Sequence, residues 1–271
     1  MSEEFGDFSL LLPHVNSAVK EAGYAILEIY NSPDLGVEYK EDNSPLTLAD
    51  KAAHKLLLVG LESLGIGPVL SEEGADIPWQ ERSKWSQYWL VDPLDGTKEF
   101  IKRNGEFTVN VALIRNGEPI LGSVYAPDKG ILYYGAKGHG AFKECDSQAA
   151  VSIKVASVPE TQDNWRIVGS RSHQSDEFKQ FVEIFPDCEI VSMGSSLKLC
   201  LVAEGAADLY PRLGLTSEWD TAAAQAIVEA AGGKVINWET LEELRYNTKD
   251  ALLNPFFVVC ADTSPLWYVK N

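Results

Sequence analysis

The segment of this chain with the clearest chemical content is Tyr88-Trp-Leu-Val-Asp-Pro-Leu-Asp-Gly-Thr97, a short apolar run that ends directly in Asp-Pro-Leu-Asp-Gly-Thr. Pro93 stiffens the exit from the run. Asp92 and Asp95 can then converge from the two sides of a tight turn, with the Leu94 carbonyl available between them. Three oxygens so placed suit a hard cation such as magnesium, which prefers carboxylates, carbonyls and water. Gly96 lets the backbone approach a ligand closely, and Thr97 adds a hydroxyl. A bare Asp-x-x-Asp-Gly would be an ordinary turn; the full run at a strand end carries more information.

Two further acidic segments could join it. Ser71-Glu72-Glu73-Gly74 follows the apolar run Pro68-Val-Leu70 and also puts carboxylates at a strand end, although adjacent glutamates are commonly just solvated. In Glu218-Trp-Asp220-Thr-Ala-Ala223, Asp220 opens an apolar helix, where an aspartate is a preferred N-cap and complements the helix dipole. Capping and metal binding are compatible, because a carboxylate has two oxygens.

The elements that must position these groups are legible in outline. Apolar residues at three- and four-residue steps predict a helix over residues 11–30, broken by Ser32-Pro33, and a second over 49–64, ended by Gly65 and Gly67. Strand-like runs follow at 69–70, 89–91, 107–114, 120–125 and 131–134, separated by Asn116-Gly117, by 127–130 and by the glycines of 135–140. Beyond residue 155 strand and helix signals alternate: 167–168, helix 176–184, 190–191, helix 197–204, 207–210, helix 220–231, 235–236 and 256–260. The expected architecture is a layered α/β fold, with two helices and a largely antiparallel sheet before an α/β layer. The change of pattern suggests a division into residues 1–155 and 156–271.

Taken together, the acidic segments have the order and content of the inositol monophosphatase superfamily, which the chain resembles from Thr47-Leu-Ala-Asp50 to Trp219-Asp220. Asp-Gly-Thr97-Lys-Glu-Phe100 resembles the nucleotidase branch of that family, as do the stretch Gly194-Ser-Ser-Leu-Lys198 through Glu204-Gly205 and the run Leu209-Tyr-Pro-Arg212. The resemblance implies an αβαβα sandwich and a magnesium-dependent, lithium-inhibited phosphatase holding two or three ions. Its metal ligands would be Glu72, Asp92, the Leu94 carbonyl, Asp95 and Asp220. Asp50 and Thr97, with Glu72, would orient or deprotonate a metal-activated water. The implied reaction is in-line hydrolysis of the 3′-phosphate of adenosine 3′,5′-bisphosphate, or of its sulfated form, linked to sulfate assimilation and without a phosphoenzyme.

Substrate contacts are expected from Glu72, Leu94, Asp95, Gly96, Thr97 and Asp220 around the scissile phosphate. Arg171, Lys198 and Arg212 are candidates for the second phosphate, and Ser195 and Ser196 for the nucleoside. An inositol or other sugar phosphatase with the same metal site is the nearest rival, and a non-catalytic nucleotide- or cation-binding protein a more distant one.

Composition limits the alternatives. The chain has 271 residues, 45% of them hydrophobic, enough for proper cores, and 40 Asp and Glu against 23 Lys and Arg give a net charge of −17. Such a surface repels nucleic acid and anionic membranes, so an anionic substrate needs a local cation. Cysteines 145, 188, 200 and 260 form no metal-binding spacing and are expected to be reduced. Histidines 14, 54, 139 and 173 show none either; His54 is expected to be structural. The acidic N-terminus lacks a secretory pattern and no run is long enough to span a bilayer. We expect a cytoplasmic monomer or homodimer, with peripheral contact at the inner membrane left open.

Overall fold

The computed structural model describes residues 8–40, 44–146, 148–170 and 175–267. Helices α1 (Phe8–Tyr30) and α2 (Leu48–Glu62) bury one stripe each, Leu11, Val15, Val19, Ala22 and Ile26 on the first and Ala49, Ala53, Leu57 and Leu61 on the second. Spacing of three and four residues aligns each stripe on one helix face. Between them lies a two-stranded antiparallel link, β1 (Glu38–Tyr39) and β2 (Pro45–Leu46). The chain continues through β3 (Val69–Ser71), α3 (Trp79–Arg82), β4 (Gln87–Asp95), α4 (Thr97–Ile101), β5 (Thr108–Arg115), β6 (Glu118–Ala126), β7 (Ile131–Ala136), β8 (Gly140–Cys145) and β9 (Val151–Ile153). These seven strands, β3 to β9, form one sheet in sequence order, parallel between β3 and β4 and antiparallel elsewhere.

The second half contains β10 (Arg166–Ser170), α5 (Asp176–Val182), β11 (Glu189–Met193), α6 (Leu197–Ala203), β12 (Leu209–Arg212), α7 (Glu218–Ala230), β13 (Lys234–Asn237) and β14 (Phe257–Cys260). Its sheet has the order β11-β10-β12-β14-β13, with the first three strands parallel and β14 antiparallel to both neighbours.

Side-chain alternation assigns the layers. On β4 and β5 the odd residues Trp89, Val91, Val109, Val111 and Leu113 pack with α1 and α2. The even residues Leu90, Ala112 and Ile114 pack instead with Leu199, Ala223 and Ile227 of α6 and α7 and with the inner face of the second sheet. That sheet's outer face meets Phe178 and Phe181 of α5 and the indoles of Trp165 and Trp267. The resulting order is helices, seven-stranded sheet, helices, five-stranded sheet, helix, the αβαβα sandwich expected. A β4 or β5 strand covered on both sides must be apolar on both, which is why these runs read as continuous rather than alternating.

Helix α7 can occupy the middle layer because five of its 13 residues are alanine, and because β6 offers Gly122, whose missing Cβ would sit 2.0 Å from the Ala223 carbonyl oxygen. The expected turn at 135–140 is shorter in the structure: β7 runs on to Ala136, since Gly135 lies under Ala230 of α7, and β8 and β9 add an edge that the sequence pattern did not signal. Those edge strands are half exposed and carry no clean apolar alternation. Among the described residues no helix is long and apolar enough to cross a membrane.

Candidate metal centre and substrate cleft

Asp92 and Asp95 are an odd number of residues apart, so a regular strand would point them to opposite faces of the sheet. They do not point apart, because β4 is bulged between them: Asp92 pairs with Asn110 and Asp95 with Thr108, so Pro93 and Leu94 together face Val109 alone. The extra residue reverses the alternation. Leu94 turns into the core shared with α1 and α2, and Asp95 joins Asp92 on the face toward α7. The expected tight turn is thus a β-bulge inside a strand that extends through Asp95. Gly96 follows at φ +91°, where a Cβ would stand 3.0 Å from the Glu106 carbonyl, and α4 begins at Thr97.

Two helix N-termini supply Asp50 and Asp220 by one shared device. In α2 the N-cap is Thr47, and Asp50 at the third position accepts from the Thr47 N–H at 2.7 Å and the Thr47 hydroxyl at 2.6 Å through Oδ2. Its other oxygen lies 3.4 Å from Thr97 Oγ1, which is also 3.3 Å from the Leu94 carbonyl. In α7 the N-cap is Ser217, not Asp220 as expected; the helix starts earlier, and Asp220 sits at its third position with Oδ2 accepting the Ser217 N–H at 2.8 Å. Both capping boxes hold one carboxylate oxygen and fix the rotamer of the other.

The acids converge. Asp92, Asp95 and Asp220 each present an oxygen within 4.8 Å of the others, the one such group of possible metal ligands among the described residues. Glu72, which follows β3, stands beside Asp92 but outside that triad. Its carboxylate accepts from Lys40 Nζ at 2.8 Å, and the same ammonium reaches Glu73 at 2.7 Å. Lys40 was not anticipated from the sequence, because nothing in the local pattern ties it to a segment thirty-two residues away. His54, on α2, has its Nδ1 2.9 Å from the Ser71 hydroxyl.

Burial makes this cluster expensive in the ionised form. It is the largest influence on every member, and mutual repulsion adds to it: Asp92 is raised well above the usual carboxylate range, with Glu72, Asp95, Asp220 and Asp50 contributing in turn. Asp220 is pushed up to about 8 by burial and then by Asp95, against the Ser217 N–H. Asp50 rises to about 6 through burial, with its Thr47 hydrogen bonds pulling the other way. Asp95 and Glu72 are also raised by burial, although Lys198 and Lys40 respectively oppose it. A divalent cation removes such a penalty. The donor set fits a hard one: it is all oxygen, with no sulfur or imidazole.

A cleft of about 160 Å³ runs from this cluster to a basic end. It is lined by the acids Asp95 and Asp220, by Gly96, and by Lys198 and Arg212, its basic end, with Lys198 Nζ 5.9 Å from the centre of the Tyr210 ring. Lys198 Nζ donates to the Ser195 carbonyl at 2.6 Å, and burial lowers its pKa to about 8, with Asp95 opposing. Arg212 donates from Nη2 to the Leu215 carbonyl at 2.9 Å, while its buried Nε finds no acceptor among the described residues. An unpaired buried guanidinium nitrogen is costly and suits an incoming anion. Arg171 and His173 lie outside the described residues.

Ser195, at φ +47°, lines the cleft. Ser196 does too, but its groups face inward: its N–H donates to Asp95 at 2.5 Å and its hydroxyl to Asn110 at 2.8 Å, with Thr108 Oγ1 also 2.8 Å away. Ser196, Thr108 and Asn110 therefore support Asp95. The two polar residues in the otherwise apolar run 107–114, two apart and so on one face, were the sequence signal for this support. Glu106 belongs with them, accepting the Gly194 N–H at 2.8 Å and tying the two halves of the cleft together.

The sequence and the fold have counterparts among known proteins. Residues 9–259 match the inositol monophosphatase family. A Salmonella typhimurium protein named 3′(2′),5′-bisphosphate nucleotidase CysQ is 48% identical over 253 residues, which are 92% of this chain and 99% of that protein. The Escherichia coli K12 protein of the same name is 47% identical over 252 residues, with the same shares covered. Among solved structures, CysQ from Bacteroides thetaiotaomicron superposes with a TM-score of 0.82 at 42% identity, covering 93% of this chain and 97% of its own. An inositol monophosphatase of Thermotoga maritima shares the fold at a TM-score of 0.74 and 23% identity, over 92% and 91% of the two chains. The chain belongs to the inositol monophosphatase family.

Proposed function

We propose that this protein is a magnesium-dependent 3′(2′),5′-bisphosphate nucleotidase that converts adenosine 3′,5′-bisphosphate to AMP and phosphate. The observation that carries this reading is the pairing, in one cleft, of a buried acid cluster with two basic side chains, Lys198 and Arg212, the second of which has an Nε without a partner among the described residues. A substrate with two phosphates satisfies both. The relatives named 3′(2′),5′-bisphosphate nucleotidase support the same reading.

Glu72, Asp92, the Leu94 carbonyl, Asp95 and Asp220 would hold two or three magnesium ions. When bound, magnesium supplies Lewis-acid activation of water and charge neutralisation at the phosphate, with lithium expected to compete for the same acids. The chain's own groups do the rest. Asp50, at about 6, is largely ionised at neutral pH and accepts through Oδ1 from the Thr97 hydroxyl, so this pair can orient a water and take its proton. Gly96 and Thr97 open α4, and amides in a first helical turn lack intrahelical partners, leaving them for phosphate oxygens. Lys198 and Arg212 bind the 5′-phosphate and align the 3′-phosphorus for in-line displacement, in which the water oxygen bonds to phosphorus as the bond to O3′ breaks. Residues 1–155 supply most of the acids and residues 156–271 supply Asp220 and the basic end.

The test is a comparison of kcat/KM for adenosine 3′,5′-bisphosphate and inositol 1-phosphate. We expect a preference of at least about a hundredfold for the nucleotide, because the inositol ester leaves the basic end unfilled. Equal or reversed preference would replace this reading with a sugar phosphatase.

A further inference from the structure

Asp220 owes its place to the first turn of α7, and that turn is held by a segment far away in sequence. Residues 252–254 run antiparallel to 216–218: Glu218 N–H donates to the Leu252 carbonyl at 2.8 Å, Ser217 bridges Leu253, and Asn254 N–H donates to the Thr216 carbonyl at 2.9 Å. The Asn254 side chain then closes the gap. Its amide nitrogen donates to the Ser217 carbonyl at 2.7 Å, to Thr221 Oγ1 at 3.0 Å and to Thr216 Oγ1 at 3.2 Å. Those three acceptors bracket Asp220 in sequence on both sides, and Asn254 is only 7% exposed.

The same segment is anchored at its other end. Asn247 N–H donates to Glu218 Oε2 at 2.9 Å, while buried Arg82 of α3 donates to Asn247 Oδ1 at 2.7 Å and to the Lys249 and Asp250 carbonyls. Because α3 lies in the chain between Glu72 and Asp92, the brace joins the part of the fold bearing those acids to the helix bearing Asp220. Beyond Asn254, Pro255 leads into β14, which pairs with Arg212 of β12.

We infer that Asn254 is a positioning residue that fixes Asp220 in the metal centre, acting through Ser217 and Thr221 without touching substrate. A donor is needed there, since the Ser217 carbonyl can only accept. An aspartate would add another negative charge near the centre and turn an acceptor toward the Ser217 carbonyl, and an alanine would leave that carbonyl with one fewer donor. Supporting groups of this kind typically change metal affinity about 10- to 100-fold when removed.

The inference rests on the metal reading, and the experiment separates the two. Magnesium binding is measured by calorimetry on the substrate-free full chain, for the parent, Asp220→Asn, Asn254→Ala, Asn254→Asp and Phe185→Leu, with Tm recorded for each. Phe185 lies in the outer core against Trp165, and its truncation provides a loss of stability unrelated to the centre. We expect the parent to bind, Asp220→Asn to bind weakly or not at all, and both Asn254 variants to show a Kd raised at least about tenfold. Phe185→Leu should lower Tm with an unchanged Kd. Asn254→Ser, which can keep one donor, replaces the alanine variant if the latter does not fold, and should fall between parent and Asn254→Asp. A parental Kd in folded Asn254 variants, or an equal weakening in Phe185→Leu, overturns the positioning role alone. A parent that binds no magnesium overturns both readings.

Discussion

Replacing Asp220 with asparagine should make the metal-free protein more stable while making it inactive. In the fold the carboxyl of Asp220 titrates near 8, against 3.8 ordinarily, chiefly because it is buried and then because Asp95 is close. An acid whose pKa is higher in the folded state binds its proton more tightly there. Stability from this group is therefore greatest below its unfolded value near 3.8 and declines as pH rises toward 8. Within that window each pH unit withdraws up to about 1.4 kcal/mol. Asparagine removes the titration yet keeps an oxygen for the Ser217 N–H, so the cap of α7 survives. Allowing for the amide's imperfect fit among acceptors, the net gain at pH 8 without metal should be about 1–3 kcal/mol, or roughly 3–10 °C in Tm for a chain of this size. At pH 4.5, where little of the parent's stability has been withdrawn, the gain should disappear and the variant should be the less stable of the two. Magnesium should stabilise the parent and not the variant, narrowing or reversing the difference. The assay is thermal unfolding of both proteins in chelator and in magnesium at pH 4.5 and 8. A variant less stable than the parent at pH 8 in chelator, or a difference that ignores pH, would refute the electrostatic reasoning.

Three further outcomes follow from the same geometry. Asp95→Asn should lower kcat by at least about a thousandfold in a phosphate-release assay while near-UV circular dichroism stays native, because the Ser196 N–H retains an acceptor at that position. Arg212→Ala should raise KM for adenosine 3′,5′-bisphosphate about tenfold and leave adenosine 3′-monophosphate almost unaffected, since only the former has a phosphate for the basic end; parallel losses on both would place Arg212 elsewhere in the reaction. Gly96→Ala should cost roughly 1–3 kcal/mol in denaturant unfolding and most of the activity, because its φ of +91° and the Glu106 carbonyl 3.0 Å from a new Cβ oppose any side chain.

The sequence carried the acids better than the means of aiming them. Asp92 and Asp95 were legible from a strand run ending in Asp-Pro-Leu-Asp, but their convergence was assigned to a turn. A bulge depends on the register with β5, which no local pattern reveals. Asp220 was placed at the N-cap because aspartate favours that position; Ser217 takes it through a capping box with the same aspartate three residues on. The layer order came from the family resemblance, since the apolar pattern alone gave only helices and a mixed sheet, and β8 and β9, half exposed at an edge, left little trace. Long-range partners were the hardest. Lys40 on Glu72, Glu106 on Gly194 and Asn254 on the start of α7 are each set by tertiary packing, and each is an ordinary polar residue in its own stretch.

The most direct test of the central claim is product analysis by phosphorus NMR during a magnesium titration with adenosine 3′,5′-bisphosphate. One inorganic phosphate per nucleotide is expected, with 5′-AMP as the only nucleotide product, at a rate that rises with magnesium and disappears in chelator. Release of adenosine 3′-monophosphate, or hydrolysis indifferent to magnesium, would contradict it.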